Sequence, residues 1–167
     1  QPLYNSGFTQ QARKLVQRML TSFKDSQYIV VPSGSCAAMI KVFYLDLLAD
    51  DPILLQQAKE MASKTYEFSE FLVKVLKVEN MDATYSGKST YHPSCHLLRE
   101  MGVLDEPRAL LEQVADLEMK DLPGAESCCG FGGTFAVKFP HISESMMFEK
   151  VRNIVSSGVD TVVSCDM

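Results

Sequence analysis

Gln27-Tyr28-Ile29-Val30-Val31-Pro32-Ser33-Gly34-Ser35-Cys36 is the stretch on which the fold turns. Gln27 to Val31 is short, β-branched and bounded by a Pro-Ser-Gly turn, which predicts a buried strand rather than a helix. A cysteine follows just past the carboxyl end of that strand. The same word returns near the other end, where a strand over Val159 to Ser164 runs into Val162-Val163-Ser164-Cys165. Each strand is preceded by a helical pattern. Phe8, Ala12, Leu15, Val16, Met19, Leu20 and Phe23 share one face, with Thr9 as N-cap. Ile142, Met146, Met147, Val151, Ile154 and Val155 mark the second helix, closed by Gly158. Between them, a helix is predicted from about Ser35 to Leu48. Asp51-Pro52 then reads as an N-cap with proline at the first helical position. Leu54, Leu55, Ala58, Met61, Phe68, Phe71, Leu72 and Val75 continue as a long helical hairpin. A polar strand over Ala83 to Tyr91 ends at His92-Pro93, with helices from Ser94 to Gly102 and from Pro107 to Ala115, and a weak strand at Leu117 to Met119. Strands alternating with helices predict an α/β fold, a mostly parallel sheet flanked by helices. The repeated word divides it into two pseudo-repeated halves, residues 1–82 and 83–167.

Composition bounds the rest. The 167 residues suit one domain or two small halves sharing a core, and 46% hydrophobic with 22% charged residues excludes a disordered chain. A net charge of −5, from 16 Lys+Arg against 21 Asp+Glu, argues against a nucleic-acid module. No apolar run reaches the ~18 residues of a membrane span. No secretory signal or low-complexity tract is evident.

The five cysteines carry the chemistry. An odd number excludes a complete intrachain disulfide set, and the adjacent Cys128 and Cys129 disfavour a bond with each other. Reduced thiols are the expectation. Cys36, Cys95 and Cys165 each follow the carboxyl end of a strand, and Cys128-Cys129 lie in the Gly-rich loop after Leu117 to Met119. That rim is where open α/β sheets bind ligands. A thiol that also opens a helix is expected to have its thiolate stabilised. Cys95 and Cys128 are separated by 32 residues, and Gly130 and Cys165 by 34, which is not the short pairing of a zinc finger. Thiolates drawn from several loops suit zinc or an iron–sulfur cluster. Neighbouring side chains point apart, so Cys128 and Cys129 reach different irons more easily than one small ion.

Cys95, the spacer, Cys128-Cys129-Gly130, the second spacer and Cys165 resemble the cysteine-rich CCG domain found in heterodisulfide reductases and their relatives. The words Tyr91-His92-Pro93-Ser94-Cys95-His96, Cys128-Cys129-Gly130-Phe131-Gly132-Gly133-Thr134-Phe135 and Pro32-Ser33-Gly34-Ser35-Cys36 look like the lactate-oxidising branch of that family and, more distantly, its glycolate-oxidising branch. The resemblance implies a cytoplasmic electron-transfer subunit that takes part with two sister subunits in oxidising L-lactate to pyruvate, without catalysis of its own. It implies an iron–sulfur cluster of the [4Fe–4S] type in the full-length protein, held by Cys95, Cys128, Cys129 and Cys165, with Cys36 belonging to the first of two motifs. It also implies departures. The chain starts past the first Cys-Cys-Gly, Ser33 stands where that motif's closing pair has its first cysteine, and the chain ends at Met167 before a closing cysteine. The expectation is a fragment that folds without metal, its site empty or holding zinc.

Gly130, Gly132 and Gly133 would let backbone approach a cluster. His92 and His96 flank Cys95 as candidate donors to sulfur. Arg99 and Lys138 lie near the cysteine segments as candidate counter-charges, His141 reads as structural, and the methionines read as core. Two other functions compete: a structural zinc module, and a metal-free thiol enzyme acting through Cys128-Cys129.

Overall fold

The structure, a computed structural model, describes residues 1–166. It is an α/β fold with helices flanking parallel sheets. The short α1 (Pro2–Asn5) leads into α2 (Thr9–Ser22). Ala12, Val16 and Leu20 form the buried stripe of α2 at the expected spacing, while Phe8 and Leu15 stay exposed. The cap of α2 differs from expectation. Phe8 is the N-cap, and Thr9 is the first helical residue, its hydroxyl donating back to the Gly7 carbonyl.

Strand β1 (Ile29–Val31) ends in the Pro32-Ser33 turn and feeds α3 (Gly34–Ala38). That helix runs through a π-helical segment, Met39–Phe43, into α4 (Tyr44–Leu47). Asp51 caps α5 (Pro52–Ser63) as read from sequence, its carboxylate accepting from the Ile53 and Leu54 amides at 3.1 and 3.0 Å. Asp51→Ala should cost about 1 kcal/mol, a typical value for a lost N-cap, measured as a shift in the denaturation midpoint at constant slope. Met39, Ile40, Leu47, Leu48, Ala58 and Met61 close the core of this half against α2.

The long helical hairpin is not continuous. After α5 the chain forms β2 (Thr65–Glu67), which pairs in parallel with β1 in the register Ile29↔Thr65, Val31↔Glu67. Glu67 then caps α6 (Phe68–Glu70) in a reciprocal box. Its carboxylate accepts from the Ser69 and Glu70 amides, and the Glu70 carboxylate accepts from the Glu67 amide. A second π-helical segment, Phe71–Val75, follows.

The second half holds β3 (Thr84–Tyr91), α7 (Cys95–Arg99), α8 (Asp105–Glu112), β4 (Ala115–Met119), α9 (Thr134–Lys138), α10 (Pro140–Ser156) and β5 (Thr161–Val163). Its three strands run in parallel in the order β4-β3-β5, with β3 central. Helix α10 is present as expected, but only part of its apolar stripe, Met146 and Ile154, is partly buried. Ser143, Met146, Lys150 and Asn153 turn inward, while Ile142, Met147, Val151 and Val155 are exposed, Val155 at 73%. The methionines divide in the same way, with Met39 and Met61 buried and Met81 and Met147 exposed.

The turn after β1 meets the chain after β5. The Gly34 amide donates to the Cys165 carbonyl at 2.8 Å, and the Ser33 and Ser35 hydroxyls donate to the Asp166 carboxylate at 2.6 and 2.8 Å. A Cβ on Gly34 would stand 2.6 Å from the Leu97 Cβ, so only glycine lets α3 approach α7 this closely. A Lys74–Glu106 ion pair at 2.6 Å adds a second link.

Candidate metal centre

Cys95 opens α7. Ser94 caps that helix through its hydroxyl, which accepts from the Leu97 amide, and the His92 amide extends the β3–β5 ladder to the Val163 carbonyl. The end of the central strand therefore fixes where Cys95 stands. Cys128 and Cys129 lie in the loop between β4 and α9. Within it, the Gly130 amide donates to the Cys128 sulfur at 3.4 Å, while the Cys129 sulfur faces the Phe131 carbonyl. The two neighbouring thiols thus have different surroundings. Gly130 has φ +84°, and the Ser143 hydroxyl of α10 donates to its carbonyl at 2.8 Å.

The fold makes Cys128 and Cys129 neighbours of Cys95. Burial pushes the Cys95 thiol pKa up, and the nearby Cys128 and Cys129 thiols add to this. Arg99 opposes the rise but does not cancel it. The sequence predicts a depressed pKa at the start of α7, and the direction is the reverse. A helix of five residues offers little dipole, and burial among like groups outweighs it.

Cations grip the back of the loop. The Lys150 ammonium donates to the Gly124 and Ala125 carbonyls at 2.6 and 3.0 Å, and the Arg99 guanidinium donates to the Glu126 carbonyl at 3.3 Å. Arg99 is legible from sequence as a neighbour; Lys150 is not. The sequence signal for Lys150 is a lysine seven residues after Ser143 and four after Met146, on one helical face. No contact joins Lys138, the other candidate counter-charge, to these cysteines among the described residues. The His92 ring lies 3.3 Å from the Ala125 carbonyl, and burial followed by Lys150 lowers its pKa. His96 packs edge-on against Phe43. Neither ring donates to a sulfur among the described residues. His141 is exposed at the start of α10.

Cys165 has other neighbours. Burial and the Glu67 carboxylate raise its pKa, while Tyr91 and Ser69 act as donors to its sulfur in the opposite sense. Tyr91 is buried, and among the described residues no nitrogen or oxygen partners its hydroxyl. Burial, then the Cys165 sulfur, holds that hydroxyl well above its usual pKa. Cys36 is exposed on α3, facing Tyr44. All five cysteines are free thiols.

Among the described residues, no three or more His, Cys, Asp or Glu side chains are gathered closely enough to hold a metal ion. The donor chemistry nevertheless fits an iron–sulfur group. Three soft thiols lie in neighbouring segments, Cys128 and Cys129 adding to the cost of ionising Cys95, and a bound cationic centre would relieve that cost by deprotonating the thiol outright. An amide donor on Cys128 and a hydroxyl without an oxygen or nitrogen acceptor beside Cys165 are the environments that sulfur ligands use.

The Cysteine-rich domain (CCG) family profile matches residues 1–41 and 89–167. The lactate utilization protein A of Shouchella clausii is 49% identical over 166 residues, covering 99% of this chain and 69% of that protein. Those of Geobacillus kaustophilus and Bacillus subtilis are 48% and 47% identical, again over 99% of this chain and 69% of theirs. With its Cys128-Cys129-Gly130 loop anchored beside Cys95 and matches over both halves, this chain belongs to the cysteine-rich CCG domain family.

Proposed function

We propose that this chain is an iron–sulfur electron-transfer subunit of an L-lactate-oxidising complex. The observation that carries the reading is that Cys128 and Cys129, in the loop whose Gly130 amide donates to the Cys128 sulfur, are neighbours of Cys95 at the start of α7. The relatives' name, lactate utilization protein A, supports the pathway. Cys95, Cys128 and Cys129 would hold a [4Fe–4S]-type cluster, with Cys165 as a further thiolate, and Cys36 would belong to the first motif of a pseudo-repeat divided near residue 82. When bound, such a group supplies one-electron transfer.

The chain's own residues prepare the site. Ser94 fixes the start of α7, the Gly130 amide donates to sulfur, and Arg99 and Lys150 hold the loop carbonyls. No residue set here resembles a flavin site or a hydride acceptor, so sister subunits would perform the oxidation of lactate. The free cysteines suit a reducing cytoplasm. No helix of the described residues is long and apolar enough to cross a membrane.

Anaerobic reconstitution of the full-length protein with ferrous iron and sulfide tests the reading. A brown protein containing iron and acid-labile sulfide is expected. A colourless protein that takes up zinc tightly and no sulfide would replace it with a structural zinc module. The loaded chain alone should not oxidise L-lactate, measured with an artificial electron acceptor. Turnover without added subunits would overturn the subunit role.

A further inference from the structure

Ser33, Gly34 and Ser35 each donate to the stretch that follows β5. The Ser33 and Ser35 hydroxyls reach one Asp166 carboxylate oxygen at 2.6 and 2.8 Å, and the Ser35 amide reaches the same oxygen at 3.3 Å. The Gly34 amide donates to the Cys165 carbonyl at 2.8 Å. Bonds to a carboxylate are stronger than those between neutral groups, and Ser33, 4% exposed, makes its bond out of reach of water. The ladder between β3 and β5 ends with the His92 amide on the Val163 carbonyl, two residues short of Cys165. A chain past a strand end frays unless it is tied down, and the turn ties it.

The other side of the turn lies against α7. A Cβ on Gly34 would stand 2.8 Å from the Ser94 hydroxyl oxygen and 2.6 Å from the Leu97 Cβ. Ser94 caps the helix that Cys95 opens, and Leu97 is fully buried within it. One turn therefore touches residues on either side of Cys95 and bonds to Cys165 and its neighbour. None of these contacts involves a thiol. At position 33, where the family resemblance predicts a cysteine, the serine hydroxyl is a better donor than a thiol.

Resting on the iron–sulfur reading above, we propose that the Ser33-Gly34-Ser35 turn is a clasp, with Ser33 and Ser35 as positioning residues that hold Cys165 in register with the helix that Cys95 opens. A ligand from one segment serves a site built on others only when its backbone is fixed by supporting bonds. The first motif would then serve the second site by anchoring it.

The test uses the full-length protein. Ser33→Ala with Ser35→Ala removes both hydroxyls and changes no charge; Ser35→Thr keeps a hydroxyl. In the metal-free protein, hydrogen exchange across residues 163–166 should be at least about tenfold faster in the double alanine variant, with β3 unchanged. Ser35→Thr should stay within about threefold of the parent. Adding Asp166→Ala to the double variant should speed exchange no further, because the bonds it would break are already gone. After anaerobic reconstitution, the double variant should bind iron about tenfold less tightly or worse. Any cluster that it holds should give the visible and paramagnetic resonance spectra of Cys165→Ser. Unchanged exchange at 163–166, or equal acceleration there and in β3, overturns the clasp. Local opening with the parent's iron content and spectra overturns its role in placing Cys165. Should the double variant not fold, Ser35→Ala alone is read in the same way, with about threefold faster local exchange expected. Should the parent itself load no iron, that failure counts against the iron–sulfur reading alone, and hydrogen exchange still decides the clasp.

Discussion

Gly130→Ala should destabilise the chain by about 2–4 kcal/mol and pull the cysteine loop off α10. Two independent costs add. At φ +84° an alanine meets the left-handed penalty of about 1–2 kcal/mol that glycine avoids. The new methyl would also overlap the Ser143 carbonyl oxygen and stand 3.0 Å from the Met146 Cβ. The first of these is helix backbone and cannot swing aside as a flexible side chain would. Relief requires the loop to move, which breaks the Ser143 hydroxyl bond to the Gly130 carbonyl and carries Cys128 and Cys129 away from Cys95. Gly132→Ala is the control. Its methyl would lie 3.5 Å from the Phe135 Cβ, an ordinary contact, so its effect should stay within about 0.5 kcal/mol. Urea denaturation of both variants checks the difference. Equal midpoints would mean that the close approach to α10 contributes nothing.

The third position of Cys-Cys-Gly thus has a packing reason beyond the freedom to approach a cluster that its motif suggests. What is legible in the sequence is local. Three of the observed strands, those ending at Val31, Tyr91 and Val163, are readable as β-branched or polar runs bounded by turn residues, and each leads into a cysteine segment. The Asp51-Pro52 cap is legible because aspartate and proline have fixed roles at a helix start. Strand β2 is hidden because Thr65-Tyr66-Glu67 sits inside an apolar series at helical spacing. Its evidence is the pairing with β1, a contact distant in sequence. The break there is capped by glutamate, which is not among the preferred N-cap residues.

The inner face of α10 departs from its sequence pattern for a related reason. Periodicity finds the apolar stripe and assumes that it is buried. Here the stripe of Ile142, Val151 and Val155 is exposed, and Ser143, Lys150 and Asn153 face the loop. A helix built to hold backbone carbonyls and thiols needs donors on its inner side. The same demand explains why Lys150 is hidden in the sequence while Arg99 is not. Arg99 is four residues from a cysteine, whereas Lys150 reaches the same loop only through the fold.

Cys128→Ser and Cys129→Ser should each lower iron and sulfide incorporation into the reconstituted full-length protein by more than about a hundredfold in affinity, since even outer-shell changes cost roughly 10–100-fold. Fold stability should change by less than about 1 kcal/mol, because both cysteines are only half-buried and serine keeps their shape. Cys95→Ser should act alike, as its thiol belongs to the same group. Cys36→Ser should leave that iron in place, because its thiol is exposed on α3 beside Tyr44 in the other half. Loading should also depend on pH in a defined sense. Metal capture releases the thiol protons, and a raised Cys95 pKa means that more of that thiol is protonated at any given pH. Iron uptake should therefore weaken as pH falls and strengthen as it rises toward the thiol range. Iron and sulfide assays across a pH series, with the four serine variants side by side, give the test. Equal loss from all four variants would remove the distinction between the two halves. Full iron in either Cys128→Ser or Cys129→Ser would exclude that cysteine as a ligand.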